Sequence, residues 1–169
     1  FREPAVIISN HQSHIDLLLL LMLNPRIIAL TNDWVWKNPI YGIVIRYLDY
    51  YPATGGYENL PDKLREKVRQ GYSVLVFPEG TRSADMKIKR FHKGAFLLAE
   101  QLDLDILPVF IHGAGDCMTK GENHIRHGSV TLKIYPRIKA SDKSFGSDYH
   151  ERTKSVLAFY RKEYETLRA

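Results

Sequence analysis

Three short, almost wholly apolar runs constrain this chain more than anything else in it: Ala5-Val6-Ile7-Ile8, Ser73-Val74-Leu75-Val76-Phe77 and Ile106-Leu107-Pro108-Val109-Phe110-Ile111. A strand with one wet face alternates apolar and polar residues. The run at 73–77 does not, so it reads as a strand buried on both faces, as in a parallel sheet covered by helices. Further strands are expected at 27–30, at 49–54 before Gly55-Gly56, and at 130–135. Helical patterns fall between them, at 17–23 and at 62–70, with Asn59 as cap, Pro61 in the first turn and Gly71 as the stop. Another helix starts at Gly94, and Val156, Tyr160, Tyr164 and Leu167 recur at helical spacing near the end. Residues 113–128 show no period and read as a loop. Strands alternating with helices give the α/β class: a single domain over 1–169 with a mixed, mainly parallel central sheet flanked by helices. Phe1 opens almost directly into the first strand, so the chain reads as a piece excised from a longer one.

The net charge of +5 favours acidic partners: phosphates, an anionic membrane surface or an acidic carrier protein. Cys117 is the only cysteine, which excludes an internal disulfide and a cysteine zinc cluster. The longest apolar run, 17–23, falls far short of the roughly 20 residues that span a bilayer. Trp34, Trp36 and the apolar stretch 40–48 read as a buried core helix, or else as a wall for an acyl chain or a face that dips into lipid.

Ligands of open α/β sheets bind outside the carboxyl ends of the strands, so the turns that follow the apolar runs are where chemistry is expected. The first is Asn10-His11-Gln12-Ser13-His14-Ile15-Asp16. On one continuous helix His11 and Asp16 would point about 140° apart. They meet only if His11 lies in the turn and Asp16 in the first helical turn. With Ser13 as N-cap, Asp16 is the N3 residue, and a Ser-x-x-Asp capping box alone would account for it. The second turn is Phe77-Pro78-Glu79-Gly80-Thr81-Arg82-Ser83. Gly80 permits a tight bend and close backbone approach, Thr81 offers a hydroxyl, and Arg82 offers a planar fork for phosphate or carboxylate. Lys87, Lys89, Arg90, His92 and Lys93 follow, either as a solvated loop or as an anion site. Lys93-Gly94 also leads into a helix N-terminus, which attracts anions.

The His-x-x-x-x-Asp at 11–16 within Asn-His-Gln-Ser resembles the first signature of the glycerolipid acyltransferases. This family includes the lysophosphatidic acid and glycerol-3-phosphate acyltransferases. Phe-Pro-Glu-Gly-Thr-Arg-Ser at 77–83, trailed by Arg-Phe-His-Lys-Gly-Ala at 90–95, resembles the third signature, and Leu-Pro-Val-Phe-Ile at 107–111 the fourth. Order and spacing agree over about residues 5–138. The resemblance implies an O-acyltransferase of phospholipid biosynthesis that moves a fatty acyl group from acyl-CoA or acyl carrier protein to the hydroxyl of a lysophospholipid. His11 would be the general base, oriented by Asp16. Glu79, Gly80, Thr81, Arg82 and Lys93 would hold the acceptor, with Arg82 on its phosphate. Backbone N–H groups where the helix after Ser13 begins are candidate oxyanion donors. The thioester is a co-substrate, and neither cofactor nor metal is implied. The expected setting is the cytoplasmic face of an anionic membrane, peripheral in this stretch, with any anchor outside it. The family's second signature carries an arginine for the acceptor phosphate; residues 47–56 contain none, which leaves the acceptor's identity open. A metal site on His11, His14 and Asp16 has loose spacing and no second cluster, with His14 at the surface or behind the reacting groups. A nucleic-acid role lacks any supporting motif. The remaining alternative is a non-catalytic lipid-binding or carrier-docking module.

Overall fold

The apolar runs occupy the middle of a sheet. The computed structural model describes residues 3–31, 50–52, 60–122 and 124–168. Within them the strands are β1 (Val6–Ser9), β2 (Ile27–Thr31), β3 (Tyr50–Pro52), β4 (Ser73–Val76), β5 (Ile106–His112) and β6 (Thr131–Ile134). Their order is β3-β2-β4-β1-β5-β6. The four pairings from β3 to β5 are parallel, and β6 joins β5 antiparallel at the edge. Ile7 stands opposite both Leu75 and Leu107, so three apolar runs lie in register at the centre.

Five helices accompany the strands among the described residues: α1 (Asp16–Leu23), α2 (Leu60–Arg69), α3 (Gly94–Leu102), α4 (Ala114–Cys117) and α5 (Tyr149–Arg168). Because side chains alternate across a strand, Val6 and Ile8 point to one face of the sheet and Ile7 to the other. The first face packs against α3 and α5 through Phe96, Phe110, Val156, Tyr160 and Tyr164, and against α2 through Leu60 and Leu64. The second face, with Ile7, Leu75, Leu107 and Val109, packs against Leu20 of α1. Full burial of such a side chain contributes roughly 1.5–3 kcal/mol, so both faces hold the sheet in place. The Tyr160 hydroxyl ties α5 to the sheet: it donates to the Ile8 carbonyl at 2.5 Å and accepts from Val109 N–H at 3.2 Å. Gly71, at φ +89°, ends α2 as expected. The Tyr72 N–H reaches the Lys67 carbonyl at 3.0 Å, and the Gly71 N–H reaches Val68 at 2.9 Å.

Several local expectations shift. The helix after the first turn begins at Asp16, with Ile15 in the N-cap place and no side-chain cap. Ser13 is therefore not its N-cap, and the Ser13 hydroxyl instead donates to the Met118 carbonyl at 2.8 Å. Residues 113–128 are not all loop, since α4 lies inside them; four residues are too few to display a helical period. The helix expected at 62–70 begins at Leu60, and the strand expected at 73–77 ends at Val76. Residues 34–48, Gly55, Gly56 and Asn59 lie outside the described residues. Among the described residues no helix is long and apolar enough to cross a membrane. Helix α1 is apolar all round apart from Asp16, yet Leu18, Met22 and Leu23 are exposed, Met22 at 82%.

Candidate active site

Strands β1 and β4 are parallel neighbours, so the turns leaving their carboxyl ends emerge side by side. From β1 the chain passes to α1 on one face of the sheet, and from β4 it passes to α3 on the other. Such a parting of chain direction opens a crevice. His11 and the turn 77–83 meet there.

The His11 Nδ1 lies 2.8 Å from Asp16 Oδ2. Asp16 is fully buried, and the same oxygen accepts the N–H of Gln12 at 2.6 Å and of Ser13 at 2.8 Å. A carboxylate only accepts hydrogen bonds, so this contact puts the proton on Nδ1 and leaves the Nε2 lone pair able to accept one. The contact from the Ser13 N–H and the pairing with His11 thus coexist on one oxygen. The Gln12 and Ser13 N–H groups are thus both taken up by Asp16. The imidazole stays 21% exposed and stacks on Phe77, with ring centroids 4.1 Å apart.

The second turn grips the backbone of His11. Glu79 Oε1 accepts the His11 N–H at 2.9 Å, and the His11 carbonyl accepts the Ser83 N–H at 2.8 Å. Glu79 Oε2 accepts the Lys89 N–H at 2.9 Å. Burial pushes the Glu79 carboxyl up to about 7, against the opposing pull of those two N–H groups. Gly80 takes φ +66°, the left-handed bend that favours glycine. Thr81 is exposed and accepts from Lys120 Nζ at 3.2 Å. The Arg82 carbonyl gathers two ammonium groups, Lys89 at 3.1 Å and Lys120 at 3.3 Å. His14 is pushed down to about 4, by burial first, then by the Arg82 charge and by His11, so it stays neutral near pH 7. That repulsion also puts the Arg82 charge beside the first turn. Lys93 is exposed just before α3, its carbonyl accepting the Phe96 and Leu97 N–H groups at 3.1 and 3.0 Å. Among the described residues no group of three or more His, Cys, Asp or Glu side chains is arranged to hold a metal ion.

His11, Asp16, Glu79 and Arg82 therefore come together, with Gly80 and Thr81 on the rim. Sequence reading missed two contributors. Lys120 comes from the patternless segment after α4 and carries no local signal. Gln12 sits inside the first motif, but its donation to the Tyr164 hydroxyl of α5 joins residues far apart in the chain.

An imidazole nitrogen able to accept a proton, beside several cations, has the chemistry that group transfer to an anionic acceptor needs. The family model described as Acyltransferase matches residues 2–112. A chloroplastic 1-acyl-sn-glycerol-3-phosphate acyltransferase of Arabidopsis thaliana is 32% identical over 143 residues, covering 82% of this chain and 40% of its own length. The Homo sapiens 1-acyl-sn-glycerol-3-phosphate acyltransferase beta is 27% identical over 145 residues, covering 82% of this chain and 52% of its own length. This chain thus spans about half or less of those two relatives. The crystal structure of the 1-acyl-sn-glycerophosphate acyltransferase PlsC from Thermotoga maritima superposes with a TM-score of 0.82 at 30% identity, covering all of this chain and 68% of that one. With the two signature turns hydrogen-bonded to each other and these likenesses beside them, the chain belongs to the acyltransferase family.

Proposed function

We propose that this chain transfers a fatty acyl group from a thioester, acyl-CoA or acyl carrier protein, to the hydroxyl of a phosphate-bearing lysophospholipid. The observation that carries the reading is the His11–Asp16 pair, at 2.8 Å, next to the Arg82 turn. His11 Nε2 takes the hydroxyl proton as the alkoxide oxygen bonds to the thioester carbonyl carbon. Asp16 stabilises the imidazolium that forms. The tetrahedral oxyanion then collapses, the carbon–sulfur bond breaks with its electron pair on sulfur, and the thiolate takes the proton back from His11. The products are the ester and the free thiol, and the protein ends unchanged. General-base action supplies on the order of 10²–10⁴ in rate, the rest coming from positioning and oxyanion donors. Arg82 holds the acceptor phosphate, with Lys89 and Lys120 adding positive charge at the same turn.

The reading extends to place. A net charge of +5 and the exposed Leu18, Met22 and Leu23 of α1 suit peripheral docking on an anionic membrane, where a lysophospholipid acceptor would lie. The test is thiol release from a long-chain acyl-CoA with lysophosphatidic acid present, for the native chain and for His11→Ala. Release is expected to fall at least about 100-fold in the variant, in line with the loss of a general base. Equal release by both proteins would overturn the enzyme and leave a lipid-binding module.

A further inference from the structure

Glu79 points inward. It is 4% exposed, and each of its oxygens is occupied by a backbone N–H: Oε1 by His11 and Oε2 by Lys89, both at 2.9 Å. One N–H belongs to the residue whose ring is the base. The other belongs to the basic loop whose Lys89 ammonium caps the Arg82 carbonyl at 3.1 Å. Ser83 N–H closes on the His11 carbonyl at 2.8 Å, so residues of the second turn hold His11 from both ends. Asp16 fixes the rotation of the imidazole and Phe77 fixes its plane. What remains is the location of the His11 backbone relative to the anion-binding turn, and the Glu79 carboxyl bridges those two parts.

We infer that Glu79 is the positioning residue of this site: its carboxylate clamps the His11 backbone to the basic loop, setting the distance from the base to the held anion without touching either substrate. The inference rests on the reading of His11 as base. A carboxylate suits the task because two N–H donors converge on two acceptor oxygens. Glutamine offers one acceptor and turns an NH₂ against the other N–H. Protonation of Glu79 would do the same with an O–H. The titratable groups around it are His11 and Asp16 in the first turn, Lys89 in the basic loop, and Tyr160 and Tyr164 on α5. A displacement of about 1 Å between reacting groups can cost about 100-fold in rate, so loss of the clamp should appear in turnover rather than in binding.

The experiment compares Glu79→Gln with the native chain in steady-state kinetics, varying lysophosphatidic acid against saturating long-chain acyl-CoA, after circular dichroism has established folding. The expected result is a kcat lower by about 10- to 100-fold with the acceptor KM within about two-fold. A raised acceptor KM with kcat kept would mean that Glu79 contacts the acceptor. An unchanged pair of constants would mean a brace with no catalytic consequence. Either result overturns the inference. Where Gln fails to fold, Glu79→Asp, one methylene too short to reach both N–H groups, carries the same comparison. A second measurement is independent of turnover. In His11→Ala the ring is gone but the backbone N–H remains. Its amide signal and that of Lys89 should then move together by NMR, with one midpoint near the value of about 7 expected for Glu79. Amides that stay still would end the clamp while leaving the role of His11 to its own assay.

Discussion

Replacing Asp16 by asparagine separates its bracing of the helix start from its proposed part in catalysis. The amide keeps one carbonyl oxygen in place of Oδ2, so the N–H groups of Gln12 and Ser13, now at 2.6 and 2.8 Å, retain an acceptor and the turn should fold. What disappears is the negative charge opposite the imidazolium that the proposed mechanism forms. With Nδ1 and Oδ2 2.8 Å apart, the centres of the two charged groups lie about 4 Å apart. At an effective dielectric constant of about 20 that attraction is worth about 4 kcal/mol. At about 1.4 kcal/mol per decade, kcat should fall about 10³-fold, within the range set by general-base catalysis. The acceptor KM should stay within about two-fold, because Arg82 is untouched. The assay is the initial rate of thiol release from long-chain acyl-CoA over a series of lysophosphatidic acid concentrations. A kcat within about ten-fold of the native value, with the protein folded, would reduce Asp16 to a helix-start brace and remove the physical basis for calling His11 a base.

Three further outcomes follow from other parts of the molecule. Burial raises Glu79 from 4.5 to about 7, so between those pH values the folded chain binds a proton that the unfolded chain has released. Stability from this group is therefore greatest below pH 4.5, declines as pH rises towards 7 and levels off above it; the difference is about 3 kcal/mol. Urea midpoints at pH 5 and pH 8 should show this decline in the native chain and a flatter response in Glu79→Gln; identical responses would refute it. Arg82→Ala should raise the KM for lysophosphatidic acid about 10- to 100-fold, as loss of a charge-assisted phosphate contact implies, with the acyl-CoA KM unchanged. Collapse of donor affinity instead would assign the turn to the other substrate. Changing Leu18, Met22 and Leu23 together to serine should abolish flotation with anionic vesicles while sparing activity on a short-chain, water-soluble thioester. A native chain that does not float would dispose of this surface.

What could be read from the residues alone was whatever is local. Doubly buried strands show as continuous apolar runs, and the centre of the sheet lies where 5–8, 73–77 and 106–111 put it. The stop at Gly71 was legible for the same reason, since only a residue at ease with positive φ finishes that helix. The His11–Asp16 spacing was legible only as a choice between a cap and a histidine–carboxylate pair, because both suit the same short turn; in the structure one oxygen, Oδ2, takes the His11 Nδ1 contact together with the Gln12 and Ser13 N–H groups. The basic loop announced positive charge but not its direction. Strand order decided the rest. Setting β1 between β4 and β5 brought Glu79 under His11, 68 residues away, and turned an acid expected on the substrate inward onto backbone. The same order set Tyr164 against Gln12, 152 residues away. Packing also drew Lys120 from a segment with no pattern to the Arg82 turn. Hydrophobic period and turn chemistry act over a few neighbouring residues and leave a trace in sequence. A contact between distant turns depends on which strands lie side by side, and no short stretch of residues encodes that.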